Sequence, residues 1–200
     1  MNFNYDDYWN TENFLENIEI NQKNIQYTID DFTFFGNKIL VCGRGEKLHP
    51  DFSPKFSTPT TNTISDLYIT VDHDPKYSKY INQKGNYALS LIVNPKVAKK
   101  IIDIGGKIFW FGSEEIEIDI PKIIYGEYPK GNSGLAAISI ASYLKAKSIC
   151  LSGIKFTDQY KQFIPGKDKV FEKIICNGTT LYSLDGLLAK KINFDDWSKL

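Results

Sequence analysis

Three short polar stretches of this chain hold the residue types from which a phosphate-binding or catalytic site is made. Gly43-Arg44-Gly45 follows the apolar run ILVC. Asp72-His73-Asp74 follows LYITV, and Lys130-Gly131-Asn132-Ser133-Gly134 opens onto the apolar run LAAISIASYL. A small loop that starts a helix presents backbone N–H groups and the positive end of the helix dipole, which together bind phosphate or carboxylate. Lys130 would add a point charge there. The same loop also reads as a plain tight turn in which the Ser133 hydroxyl caps the helix.

The acidic stretch carries two chemistries. Asp72 and Asp74, two residues apart at a strand's carboxyl end, are placed to hold Mg²⁺ against a substrate phosphate. Histidine is a common general base, and His73 could serve as one. The plainer alternatives are that Asp74 caps a helix begun by Pro75-Lys76-Tyr77 and that His73 is an exposed turn histidine. Arg44 is suited either to clamping a phosphate or to covering a sheet edge. The dinucleotide fingerprint G-x-G-x-x-G is incomplete after β-type residues 39–42, because Leu48 stands where its third glycine would be.

The elements that would position these residues are short apolar runs alternating with helical stretches. Strands are expected at Ile39–Cys42, Leu67–Val71, Tyr87–Val93 and Lys107–Phe111. Two more are expected at Ser148–Ser152 and Thr179–Ser183. Helices are expected at 96–102, 135–144 and 169–175, the first of them following Asn94-Pro95. Residues 1–36 carry a weak stripe of Trp9, Phe14, Leu15 and Ile18, which predicts a helical arm on the edge of a 37–200 domain. The stretch 46–65 holds three prolines and reads as a loop with room for one helical turn. Ile116–Ile124 alternates apolar and charged residues, which suits a half-exposed excursion. Residues after Ser183 read as a polar tail. Strand, helix and strand in alternation predict an α/β, Rossmann-like three-layer fold with a mostly parallel sheet and its site at the strands' carboxyl ends.

The totals narrow the function classes. The chain has 200 residues, with Lys+Arg and Asp+Glu both 24 and a net charge of zero. That argues against broad nucleic-acid binding. No apolar run nears the ~20 residues that span a bilayer, and the acidic, polar first residues do not resemble a signal peptide. Cys42, Cys150 and Cys176 are too few and too scattered for a disulfide frame or a zinc site. A cytoplasmic protein is the expectation, and the oligomeric state is left open.

The order of motifs resembles a known family. A strand ending in G-x-G is followed by D-x-Y-I-T-V-D-x-D-P, a strand ending in N-P, and then the block from Gly131 to Phe156. This series is similar to the Rossmann-like transferase domain shared by Maf-type flagellin glycosyltransferases and MptE-like 6-hydroxymethylpterin diphosphokinases. It is more distantly similar to bacterial CMP-sialic-acid sialyltransferases. The resemblance covers roughly residues 37 to 190. It implies a nucleotide-bound donor, a CMP-sugar or ATP, with Gly43 and Gly45 at the phosphates and Asn94, Asn132, Ser133 and Gly134 facing the nucleotide. A glycan or small-molecule acceptor follows from the same likeness.

The chain also departs from that pattern. Glu46 and Lys47 replace the family's proline and serine, and Lys155 replaces the aspartate of its last motif. The sialyltransferases' downstream histidine has no counterpart, since this chain's histidines are His49 and His73. Cys150 and Thr157 fall where the sialyltransferases carry tyrosines, and Tyr160 is the nearby tyrosine. Three readings therefore stand: a nucleotide-sugar glycosyltransferase, with Lys130 meeting leaving-group charge; a diphosphokinase holding Mg²⁺ on Asp72 and Asp74; and a non-catalytic nucleotide- or glycan-binding relative.

Overall fold

Runs of four or five apolar residues closed by glycine or proline are too short for a stable helix and pair as strands instead. The computed structural model describes residues 11–45, 49–61, 63–127, 130–154, 167–185 and 188–200, without the side chains of 11–13, 127 and 130. Its strands are β1 Lys38–Cys42, β2 Lys55–Ser57, β3 Leu67–Thr70, β4 Asn86–Ser90, β5 Lys107–Phe111, β6 Gly126–Glu127, β7 Lys130–Gly131, β8 Ser148–Ser152, β9 Thr180–Ser183 and β10 Lys190–Lys191. The helices are α1 Thr11–Gln22, α2 Pro95–Asp103, α3 Ser133–Tyr143, α4 Lys167–Cys176 and α5 Phe194–Lys199. Eight strands form one parallel sheet in the order β10-β9-β8-β1-β2-β3-β4-β5, and β6 and β7 form a separate antiparallel pair. The fold is α/β and Rossmann-like.

Alternation along β1 and β8 sorts their side chains to two faces. Ile39, Val41, Ile149 and Leu151 join the main core with Ala136, Ala137 and Ile140 of α3. Leu40, Cys42 and Cys150 join a smaller core around Trp197 of α5. Helix α3 is apolar on nearly every side because it is buried on nearly every side: Leu135 to Ile138 and Ile140 to Ser142 are all enclosed. Its alanines let it lie close on the sheet. Truncating a fully buried core residue such as Ile138 would cost about 2–5 kcal/mol.

The amino-terminal segment closes the β5 edge. Trp110 N–H donates to Tyr27 O at 2.9 Å, and Thr28 forms a parallel bridge with Trp110. Ile29 and Phe32 then enter the core. An edge strand left bare would present unpaired backbone groups. The expected stripe on α1 is corrected: Phe14 is buried, but Leu15 is 65% exposed. The inner face carries two asparagines instead. Asn17 Nδ2 donates to Ile92 O, and Asn21 Nδ2 donates to Leu91 O and Val93 O, at 2.7–2.9 Å.

Those bonds explain a second correction. Residues 91–93 do not extend β4; they turn, and their carbonyls serve α1 rather than a neighbouring strand. In the loop expected at 46–65, β2 forms a three-residue strand between β1 and β3. Its signal was hidden because a buried lysine, Lys55, stands where an apolar residue would be expected. The expected polar tail contains β10 and α5, with Trp197 fully buried. Helices α2 and α4 run one or two residues beyond their expected ends. The 116–120 stretch alternates, with Ile116 and Ile120 buried and Glu117 and Asp119 exposed, while Ile123 and Ile124 are both buried. Among the described residues, no helix is long and apolar enough to cross a membrane.

Candidate functional site

Strand order reverses at β1: β2 to β5 succeed one another on one side, and β8 to β10 on the other. Open parallel sheets bind ligands outside the strands' carboxyl ends at such a switch point. Here that crevice lies between β1 and β8.

The glycine turn after β1 is zipped to the end of β8. Gly43 N–H donates to Ser152 O at 2.8 Å and Gly45 N–H donates to Gly153 O at 2.7 Å. A Cβ on Gly43 would lie 2.6 Å from Gly153 O and 2.7 Å from Ile154 Cγ1, so close backbone approach accounts for this glycine. The N–H groups of both glycines are thereby spent. What the turn offers a ligand is Arg44, exposed between them.

The start of α3 reaches the same crevice through Ile154, which lies 3.8 Å from the position of a Cβ on Gly134. The expected cap is corrected here. Asn132, not Ser133, is the N-cap: its Oδ1 accepts from Gly134 N–H at 2.8 Å and Leu135 N–H at 3.1 Å. An asparagine side chain one residue earlier reaches both donors at once. Ser133 Oγ instead accepts Val71 N–H at 3.2 Å, tying α3 to the end of β3. Of the first-turn donors, Ser133 N–H is left without an acceptor among the described residues.

Beyond β3 the acidic stretch folds back on itself. Asp72 Oδ1 accepts Asp74 N–H at 3.0 Å, and Asp74 Oδ1 accepts Lys76 N–H at 2.8 Å, capping the 3₁₀ turn Pro75–Tyr80. The capping alternative for Asp74 is thus the arrangement present. His73 is buried, with its ring edge-on to Phe14 at 4.6 Å beneath α1. Among the described residues, no cluster of three or more His, Cys, Asp or Glu side chains could hold a metal. Mg²⁺ would therefore rest on Asp72 and Asp74 together with a substrate phosphate, and each aspartate already commits one oxygen to its own turn. Asn94 is the N-cap of α2, accepting Lys96 N–H at 3.1 Å. It sits past β4, three strands and so about 14 Å from β1.

The structure brings in one pair that spacing could not reveal. His49 Nδ1 and Ser152 Oγ share a hydrogen bond of 2.8 Å at the carboxyl end of β8. The crevice thus gathers Arg44, Ser133 N–H and an imidazole held by a serine. Such a set can neutralise an anion, meet charge developing on a leaving phosphate and move a proton at His49. Glu46, Lys47, Leu48, Lys155, Thr157 and Tyr160 lie outside the described residues, as do Trp9 and the side chain of Lys130. Comparison of the chain with family models, curated proteins and solved structures returns no match.

Proposed function

We propose that the β1/β8 crevice holds the phosphates of a nucleotide-sugar donor, of CMP-sugar type, and that the chain is a glycosyltransferase acting on a surface glycan. The observation that carries this reading is the reversal of strand order at β1, beside which Arg44 and the start of α3 stand. Arg44 would meet the phosphate bidentately. Ser133 N–H and the α3 dipole would oppose the charge that builds on the departing nucleotide. His49, its enclosed Nε2 uncovered as the acceptor enters, would take the proton of the acceptor hydroxyl. The acceptor oxygen then bonds to the sugar's anomeric carbon as the bond to phosphate breaks, and the electron pair leaves on the nucleotide.

A thermal-shift panel of CMP, CMP-sugars, UDP-sugars, GDP-sugars and ATP, each with Mg²⁺ and with EDTA, tests the reading. A ligand at ~100 times its Kd stabilises by about 2.7 kcal/mol. A response to cytidine nucleotides that ignores EDTA supports it. A response to ATP alone that needs Mg²⁺ replaces it with the diphosphokinase reading, and no response to any nucleotide removes it.

A further inference from the structure

At the β5 edge of the sheet, α1, α2 and β5 enclose a groove of about 750 Å³, within the ~300–1,000 Å³ usual for small-molecule sites. Strand β5 is four places from β1, so this groove stands about 19 Å from the crevice. Lys107 Nζ lies 3.7 Å from the centre of the Tyr27 ring and 4.7 Å from that of Phe109. Two rings therefore hold this ammonium, and among the described residues no carboxylate pairs with it. Lys99 is neutralised by Asp103 at 2.8 Å, while Lys96, also on the wall, has no such partner among the described residues.

The remaining walls complete a recognisable chemistry. Asn21 spends both amide hydrogens on Leu91 O and Val93 O, and Asn24 spends one on Ile20 O at 2.9 Å. Asn21 is enclosed, so the exposed Asn24 carboxamide oxygen is the acceptor for a ligand's hydroxyl group. Tyr27 is 40% exposed and Ile102 61% exposed, giving apolar surface for the C–H face of a ring. We propose that this groove is a second ligand site for a hydroxylated anion of monosaccharide size, a sugar acid or a sugar phosphate, with its charge on Lys107. The proposal is independent of the crevice, and its ligand need not be a nucleotide.

The test is a backbone-amide NMR titration with glucuronate, glucose 6-phosphate and uncharged glucose at constant ionic strength. The expected result is saturable shifts centred on Asn24, Tyr27 and Lys107 with at least one anion, and much weaker shifts with glucose. Glucuronate alone would assign a carboxylate ligand, and glucose 6-phosphate alone a phosphate ligand. Lys107→Met keeps an apolar stem over Tyr27 and should weaken binding about tenfold or more, with the rest of the spectrum unchanged. Absence of saturation with both anions, equal binding of glucose, or undiminished affinity in Lys107→Met would overturn the assignment.

Discussion

His49 Nδ1 lies 2.8 Å from Ser152 Oγ, although 103 residues separate the two in the chain. The other histidine, His73, is packed under α1 against Phe14. The histidine at the switch point is therefore His49. His49→Asn should lower turnover of the nucleotide-sugar about 100-fold or more and leave donor affinity nearly unchanged. His73→Leu should alter stability and leave turnover near wild type. Assays of released nucleotide on both variants check this; a folded His73→Leu protein without turnover would reverse the assignment.

Close packing is enough to account for Gly43. Its missing Cβ would meet Gly153 O at 2.6 Å, in backbone that cannot swing aside as a flexible side chain would. Gly43→Ala should cost about 1–3 kcal/mol as overpacking, read as a lower urea midpoint with an unchanged slope. Wild-type stability in this variant would mean that the ends of β1 and β8 are not held together as described.

The cap of α3 gives a sharper contrast. Asn132 serves two N–H groups, at 2.8 and 3.1 Å. Asn132→Ala should destabilise by about 1 kcal/mol, and Asn132→Asp should retain most of that, since an aspartate caps as well and favours the positive helix end. Denaturant titrations of the two variants decide it; equal losses would show that the side-chain oxygen is not the cap.

Burial pushes the Cys42 and Cys150 thiols up to about 12 from an ordinary 9.0; at Cys42 the nearby Lys55 charge partly offsets this. The folded chain then keeps protons that the unfolded chain would lose. This contribution to stability is complete below pH 9 and disappears as pH rises toward 12. Tyr87 and Tyr143, raised from 10.0 to about 12, act in the same direction. Stability should fall on the alkaline side, and at pH near 8 a thiol reagent should label exposed Cys176 first, because the thiolate is the reactive form. Labelling of Cys42 or Cys150 at the rate of Cys176 would contradict their burial.

Much of the sheet was legible because its central strands, β1 and β8, are apolar on both faces and end in glycine or a small polar turn. Strand β2 was not legible: three residues led by Lys55 give no period, and the pairing with β1 and β3 makes the strand. Residues 91–93 were misread because their apolarity reflects burial, while the bonds from Asn17 and Asn21 decide their backbone. At the site, Asn132-Ser133-Gly134 was recognisable as a helix start. Its capping residue was misassigned by one position, since either side chain suits a cap and the contact with Val71 is tertiary. His49 was invisible as a site residue, because nothing local in His49-Pro50 points to Ser152.

Donor binding in the proposed β1/β8 crevice would run through Arg44. Its most direct measurement is a calorimetric titration of CMP and the best-stabilising CMP-sugar into wild type and Arg44→Ala. Arg44 is exposed, so its removal should leave the fold within about 0.5 kcal/mol of wild type. Wild type should bind saturably, in EDTA as well as Mg²⁺, and Arg44→Ala should bind about tenfold or more weakly. No binding to wild type, or equal affinity for the two folded proteins, would contradict it.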